Sequence, residues 1–164
     1  MQTGNPEVVE REHFNSLLSS FNTGMMTTYD TTTGMLHSRP MYMIEMDVEG
    51  KLWFATSIDL MKVRELRQDN AINISCISSN KWISICGRAD ILTDRVIIER
   101  LWGKGEWSRY FSGRDDPKIA LIQVNTQKGE YWDMSGGATW VRYIYEAAKS
   151  LVTGHEIPEE NVVQ

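Results

Sequence analysis

The sequence has few cysteines, no excess of positive charge and no long hydrophobic run, and each shortage argues against a class of protein. Two cysteines in 164 residues are too few for a disulfide framework, so we expect Cys76 and Cys86 to be reduced, buried, small side chains of a cytoplasmic protein, with a cross-strand disulfide as the alternative. The net charge of −5 argues against general nucleic-acid binding, because such affinity depends on neutralising phosphates. No apolar run approaches the roughly 20 residues of a membrane span, and residues 1–6 lack a signal-peptide pattern.

Common catalytic and metal-binding motifs are also missing. The sequence contains no Gly-x-Ser-x-Gly and no phosphate-binding Walker loop. His13, His37 and His155 lack metal-ligand spacing with one another or with the cysteines, so we predict no metal site. Asp115-Asp116-Pro117 is interpreted as a turn rather than a set of carboxylate ligands. If the protein is an enzyme, a cofactor is expected to carry its chemistry.

What the chain does contain is a change of hydrophobic period after its first helix. Apolar residues at helical spacing predict a helix over 7–21, and β-branched and aromatic runs then predict short strands. Connections such as Glu49-Gly50 are too short for parallel crossovers. We therefore predict a mainly β single domain over 1–164, an antiparallel barrel with helices inserted and at both ends. The strands are predicted over residues 25–29, 36–46, 52–56, 71–77, 82–92, 119–125 and 130–134.

Four local features complete the predicted layout. A helix is expected over 59–67 with Asp59 as its N-cap, and another over 94–102 capped by Asp94. Gln127-Lys128-Gly129 is interpreted as the turn between the last two strands. An apolar face from Trp140 to Leu151 predicts a C-terminal helix, followed by an acidic, solvated tail from about residue 153.

The stretch from His37 to Leu66 indicates an anion site. Arg39 leaves one predicted strand, Thr56 and Ser57 close the next, and Lys62 lies in the first turn of a helix. Cationic side chains, hydroxyls and free backbone N–H groups at one place suit a phosphate monoester. Taken singly, each of these residues is an ordinary surface residue, so the prediction depends on their joint placement.

The same residues resemble a known family. Leu52-Trp53-Phe54-Ala55-Thr56 and Lys62-Val63-Arg64-Glu65-Leu66 resemble the flavin mononucleotide (FMN) segment of the pyridoxamine 5′-phosphate oxidase-like split-barrel proteins. Later motifs are similar to the general stress protein 26 branch: Ser84-Ile85-Cys86-Gly87-Arg88-Ala89, Asp94-Arg95, Leu101-Trp102, Gly113-Arg114-Asp115-Asp116-Pro117 and Glu130-Tyr131-Trp132-Asp133.

The resemblance implies a homodimer with FMN in two symmetric clefts at the subunit interface. Arg39 would pair with the phosphate or ribityl end of the cofactor, Thr56 would donate from the end of its strand, and Lys62 would meet the phosphate. Backbone on the two strands would pass along the isoalloxazine ring. Lys81 and Trp82 would approach from the partner subunit, although Trp82 equally suits the core or the dimer interface. The full implied set is Ser38, Arg39, Pro40, Met41, Phe54, Ala55, Thr56, Ser57, Lys62, Lys81 and Trp82.

Two departures from the family bear on function. Related oxidases place a serine or arginine just before the helix lysine, where this chain has Leu60 and Met61, so we predict weaker flavin binding than in the oxidases. The acidic segment at residues 154–160 replaces the arginine and histidine with which those oxidases grip substrate phosphate, so pyridoxamine phosphate oxidation is not expected.

Three function classes stay open on this basis. The first is an FMN-dependent oxidoreductase that takes electrons from a nicotinamide cofactor and acts on an unidentified small molecule. The second is a stress protein that binds or senses flavin without fast turnover. The third is a relative that uses a deazaflavin. Since function depends on the site rather than the fold, the resemblance does not choose among them.

Overall fold

The computed structural model describes residues 6–134, 140–146 and 151–157. Within these residues, eight strands form one antiparallel sheet in the order β3-β2-β1-β4-β5-β6-β7-β8. Since β3 also pairs with β6, the first six strands close into a barrel, and β7 and β8 extend the sheet beyond β6. The predicted antiparallel barrel is confirmed. The strands are β1 (Thr23–Asp30), β2 (Met35–Met46), β3 (Leu52–Ser57), β4 (Ala71–Ile77), β5 (Lys81–Leu92), β6 (Ile119–Asp133), β7 (Trp140–Glu146) and β8 (Leu151–Ile157).

Alternating apolar side chains fill the barrel. Met26, Ile74 and Ile85 are each at most 1% exposed, while their neighbours along the strands are less buried or face outward. This two-residue alternation is the reason these segments are strands. Burial of the inward faces supplies the main stabilising free energy of the fold.

The predicted turn at residues 127–129 is wrong, because β6 is one continuous strand of 15 residues. The pairing of β5 with β6 shifts at this point: Cys86 lies opposite Lys128 and Gly87 opposite Thr126, which leaves Gln127 as an extra residue. Polar residues and glycine therefore mark a β-bulge rather than a chain reversal. A Cβ atom at Gly87 would collide with the backbone carbonyl of Asn125, so the close approach of the two strands requires glycine there.

The predicted C-terminal helix is also wrong where the structure describes it. Backbone pairing makes Trp140–Glu146 and Leu151–Ile157 into β7 and β8, and β7 pairs with Lys128–Asp133 of β6. On β6, β3 occupies only residues 119–124, so the second half of that strand edge is open to β7. The predicted tail from residue 153 is wrong as far as Ile157, which ends β8, and residues 158–164 lie outside the described residues.

Three described helices and one 3-10 turn accompany the sheet. The predicted cap of α3 is confirmed, since Asp94 accepts hydrogen bonds from the backbone N–H of Val96 and Ile97. Asp59 caps no helix: α2 begins two residues later, and Asp59 accepts from the Ser57 hydroxyl at 2.5 Å instead. In the part of the chain that the structure describes, no helix is long and apolar enough to cross a membrane. The bounds are α1 (Pro6–Ser19), α2 (Met61–Gln68), α3 (Arg95–Leu101) and the 3-10 turn Trp107–Tyr110.

The two cysteines lie in different environments and are both free thiols. Cys76 is 3% exposed within the barrel core, and burial raises the pKa of its thiol to about 11. Cys86 is exposed, so the prediction that both are buried is wrong for it. On β5, Cys86 falls at an outward position between Ile85 and Gly87, which point inward.

Candidate functional site

The barrel opens between β2 and β3, and this opening positions the candidate site. β2 pairs with β1 from Met35 to Tyr42, but its pairing with β3 begins only at Met43 opposite Phe54. On the same side, β3 pairs with β2 over Leu52–Phe54, whereas its pairing with β6 continues to Ser57. The edges of β2 before Met43 and of β3 after Phe54 therefore face each other without a shared ladder among the described strands.

Alternation along β2 sends the predicted site residues to opposite faces. Arg39 and Met41 point inward, Met41 being buried and Arg39 having a side chain 21% exposed. Ser38 and Pro40 are exposed on the outer face, where the Ser38 hydroxyl shares a 2.7 Å hydrogen bond with Thr27. The two pairs can meet a single ligand only if it contacts the backbone edge of β2 as well as the inner side chains.

The predicted residues of β3 differ in what they offer to a ligand. Phe54 is fully buried in the barrel core, so only its backbone can take part in a site. Ala55 is half-buried and packs against a second apolar cluster around Trp53. Thr56 is 5% exposed, and Ser57 at the strand end is half-buried.

α2 brings Lys62 to the end of β3. The Lys62 ammonium donates to the Thr56 hydroxyl at 3.2 Å, which confirms that these two predicted residues lie together. Leu60 occupies the N-cap position without a side-chain hydrogen bond, and no acidic residue lies in the first turn, so the positive end of the helix is not offset there. Leu60 and Met61 are exposed side chains that offer no donor.

Arg39 and Lys62 are close enough to repel each other. Burial lowers the pKa of Lys62, the positive charge of Arg39 lowers it further, and the negative charge of Glu65 partly offsets both effects. A bound anion would stabilise two cations that lie close together in a partly buried site.

Glu65, a buried carboxylate that no sequence pattern predicted, lies beside Arg39. Glu65 on α2 is 3% exposed and accepts three hydrogen bonds: from the Thr28 hydroxyl at 2.5 Å, from His37 Nδ1 at 2.6 Å and from Arg39 Nη2 at 3.1 Å. Arg39 Nη1 also donates to the Thr28 hydroxyl. Thr28, His37, Arg39 and Glu65, which we call the Glu65 network, tie β1, β2 and α2 together.

The charge of Glu65 is maintained by these partners. Burial alone would raise the pKa of Glu65, but the hydrogen bonds from Thr28 and His37, with the charge and hydrogen bond of Arg39, hold it below its usual range. An ionised carboxylate can only accept, so Nδ1 of His37 carries the proton in this hydrogen bond.

The same region brings together three groups that a metal ion could use. Ligand atoms of Asp30, His37 and Glu65 lie within 4.8 Å of one another. Each carboxylate is already partnered, Asp30 by Thr32 and Thr33 and Glu65 by the Glu65 network, which includes an arginine cation. These partners favour a hydrogen-bonded network over a cation site, although residue spacing alone did not indicate that His37 would lie near two carboxylates.

Lys81 and Trp82 are not brought to this place within one chain. Both lie at the start of β5, separated from β2 by β1 and β4 in the sheet. Trp82 pairs with Trp132 of β6 and is half-buried on the outer face, since Ile83 after it points inward. Their predicted approach from a second subunit stays a prediction.

Little in the sequence could have revealed Glu65. It lies three residues after Lys62, on the same side of a helix, between the buried residues Val63 and Leu66. Glutamate is almost never buried without a partner, so a glutamate on a short helix is expected to lie on its solvated face. Its partners are 26 to 37 residues away in sequence and become neighbours only when the barrel forms.

Comparisons with known proteins agree with this architecture. Residues 9–158 match the family described as "Pyridoxamine 5′-phosphate oxidase like". The chain is 31% identical over 152 residues to the protein bli-3 of Neurospora crassa, a match that covers 84% of this chain and 72% of that protein.

Two solved structures show the same fold. A Clostridium acetobutylicum protein related to general stress protein 26 has a TM-score of 0.71 and 23% identity, covering 90% of this chain and 100% of that one. A pyridoxamine 5′-phosphate oxidase-related, FMN-binding protein of Nostoc punctiforme has a TM-score of 0.63 and 13% identity, covering 96% of this chain and 98% of that one.

Proposed function

Because this chain belongs to the pyridoxamine 5′-phosphate oxidase-like family, we propose that it is a flavoprotein that binds FMN at the opening between β2 and β3. The observation that carries the proposal is the closeness of Arg39 and Lys62, two partly buried cations, of which Lys62 donates to the Thr56 hydroxyl at the start of α2. Among the residues that the structure describes, Arg39 donates two of its five N–H groups, to Thr28 and to Glu65, which leaves three for a phosphate group. The donor set therefore fits a phosphate monoester.

The remaining predicted residues fit the rest of a flavin. Ser38, Pro40 and Met41 on β2, and Ala55 and Ser57 on β3, lie along the two strand edges outside the β2–β3 ladder, and Phe54 lies at the end of that ladder opposite Met43. Unpaired backbone N–H and C=O groups along such edges suit the polar rim of an isoalloxazine ring. FMN would supply hydride or electron transfer at N5, and the protein would hold and orient the ring.

We propose that two copies of the chain share each cleft. The outer face of β1, β2 and β4 exposes Met25, Tyr29, Leu36 and Ile77, all large apolar side chains. A hollow of about 500 Å³ lies on the same face, between Leu36 and the exposed Cys86. An apolar face of this kind suits a second copy, and the dimer would bring Lys81 and Trp82 of one subunit towards the flavin of the other.

As its activity we propose an oxidoreductase that receives electrons from a nicotinamide cofactor and passes them to a small molecule. The free cysteines suit a reducing compartment, and the cytoplasm is the proposed location. Leu60 and Met61 remove two donors from the phosphate end, so we propose weaker FMN binding than in the oxidases.

Titration of the purified protein with FMN, FAD and a deazaflavin tests the cofactor, with binding followed by flavin fluorescence. We expect FMN to bind with the highest affinity, and preference for the deazaflavin would assign the chain to the third class. Repeated bleaching and recovery of bound FMN with reduced nicotinamide and oxygen would support an oxidoreductase. Binding without bleaching would leave a flavin-binding protein that does not turn over. Sedimentation of the same samples tests the dimer, and a monomer with full affinity would contradict the shared cleft.

A further inference from the structure

The buried carboxylate of Glu65 lies beside the proposed anion site, so its negative charge is close to the position of the bound anion. Glu65 is 3% exposed, and its Oε2 atom lies 3.1 Å from Arg39 Nη2. If Glu65 only competed with the ligand for Arg39, it would weaken the site. The contacts around it indicate another role.

The Glu65 network fixes the guanidinium group from two sides. Arg39 Nη1 donates to the Thr28 hydroxyl and Nη2 to Glu65 Oε2, while Thr28 itself donates to that same Oε2 atom. The three groups close a ring of hydrogen bonds, so the plane of the guanidinium is set before any ligand arrives. Its unused N–H donors then keep a constant direction.

Glu65 also fixes α2 relative to the strands. Its carboxylate accepts from Thr28 on β1 and from His37 and Arg39 on β2, so it holds the helix to two neighbouring strands. One turn earlier on the same helix, Lys62 donates to Thr56 on β3. The contacts of Glu65 therefore determine where both cations of the site lie.

We propose that Glu65 is a positioning residue of the anion site, which orients Arg39 and places Lys62 for the phosphate group of the ligand. The inference rests on the proposed FMN function and deepens it. Arg39 donates a charged hydrogen bond to the carboxylate, which reduces the repulsion between Glu65 and a bound phosphate. Without the carboxylate, the long Arg39 side chain can adopt more conformations, and ordering it when the ligand binds costs conformational entropy.

The test compares FMN with riboflavin, which has the same ring system without the phosphate. The measured quantity is the ratio of the riboflavin Kd to the FMN Kd, obtained by fluorescence quenching of each ligand. We expect a ratio well above one in the unaltered protein and at least a tenfold fall in Glu65→Ala, with riboflavin affinity changed less than twofold. Glu65→Gln keeps an oxygen and a nitrogen atom in place of the two carboxylate oxygens and should lower the ratio by less than Glu65→Ala does. Glu45→Gln is the matched control, since Glu45 pairs with Arg100 and Lys104 outside the site and should leave the ratio unchanged.

A double-mutant cycle decides whether Glu65 acts through Arg39. In an Arg39→Met background, Glu65→Ala should lower the ratio by clearly less than tenfold, because no guanidinium remains to be oriented and only the placement of Lys62 is lost. An undiminished tenfold fall in that background would overturn the role of Glu65 in orienting Arg39. Thr28→Val, which removes only the hydroxyl between the two residues, should lower the ratio severalfold and serves as the second variant if Glu65→Ala does not fold.

Two further outcomes separate this inference from the proposed function. A ratio of one in the unaltered protein would overturn both, because no phosphate would then be recognised. A high ratio that stays the same or rises in Glu65→Ala and Glu65→Gln would overturn the positioning role alone and would show that Glu65 competes with the ligand for Arg39.

Discussion

Replacement of Lys62 by methionine gives the sharpest test of the phosphate end. Methionine keeps an unbranched apolar stem of similar length but carries no ammonium group. In the structure, that ammonium lies 3.2 Å from the Thr56 hydroxyl and near the guanidinium of Arg39. Lys62→Met should therefore remove one cation from the anion site while the helix and strand around it stay in place.

The size of the effect follows from the interaction between the ammonium and the phosphate, which the variant cannot make. A hydrogen bond that involves a charged group contributes about 1.5–3 kcal/mol, and each 1.4 kcal/mol changes a dissociation constant about tenfold. FMN affinity should therefore fall by about 10-fold to 150-fold in Lys62→Met. Riboflavin has no phosphate and should bind the variant and the unaltered protein within about twofold of each other, a difference below about 0.5 kcal/mol.

The pKa of Lys62 adds a second signature to the same experiment. Burial and Arg39 lower that pKa, so the ammonium loses its proton at a lower pH than an ordinary lysine does. FMN affinity of the unaltered protein should thus decline on the alkaline side before the usual lysine range, and Lys62→Met should lack that decline. Isothermal titration calorimetry at several pH values measures both, with Lys104→Met as the control lysine, which pairs with Glu45. Equal losses for FMN and riboflavin would refute the assignment of Lys62 to the phosphate.

Three further predictions concern the fold. The pKa of Glu65 is lowered in the folded protein, so its stabilising contribution is present above the unfolded glutamate pKa and is lost as pH falls through the folded value. Urea unfolding should therefore show that the difference in unfolding free energy between the unaltered protein and Glu65→Gln shrinks from pH 7 to pH 3. A constant difference would contradict this. Gly87→Ala should destabilise the fold by about 1–3 kcal/mol in urea unfolding, because its Cβ meets the backbone of Asn125, whereas Gly113→Ala has open space and should change it by less than about 0.5 kcal/mol. Asp94→Ala should lower the unfolding free energy by about 0.5–2 kcal/mol through loss of the α3 cap, and Asp59→Ala, which removes no cap, should lower it less; equal effects would be inconsistent with the observed helix ends.

Local chemistry made much of the fold predictable. Alternation of apolar side chains and short connections were enough for an antiparallel barrel, and Asp94 was correctly placed as a cap because the aspartate side chain is suited to that position. The failures arose where one pattern fits two structures. Gln127-Lys128-Gly129 is typical of a turn and also of a bulge. The segment Trp140–Glu146 becomes a strand because it pairs with the open edge of β6, which its own sequence does not show.

The candidate site was predictable only in part, for a different physical reason. Thr56 lies near a strand end and Lys62 near a helix start, where short-range patterns are informative, and the structure brings the two into contact. Arg39, by contrast, lies in the middle of β2 rather than at its end. Glu65 and His37 depend on contacts between residues 28 positions apart, which no local pattern encodes. The buried carboxylate of Glu65 therefore could not be predicted before β1, β2 and α2 were placed together.

A crystal structure of the protein grown with FMN tests the central claim most directly. We expect phosphate oxygens within about 2.7–3.2 Å of the Arg39 guanidinium, the Lys62 ammonium and the Thr56 hydroxyl. We also expect the flavin ring along the open edges of β2 and β3, with Lys81 and Trp82 supplied by a second subunit. FMN bound elsewhere, for example in the hollow on the outer face with Arg39 still directed only to Thr28 and Glu65, would contradict the proposed site.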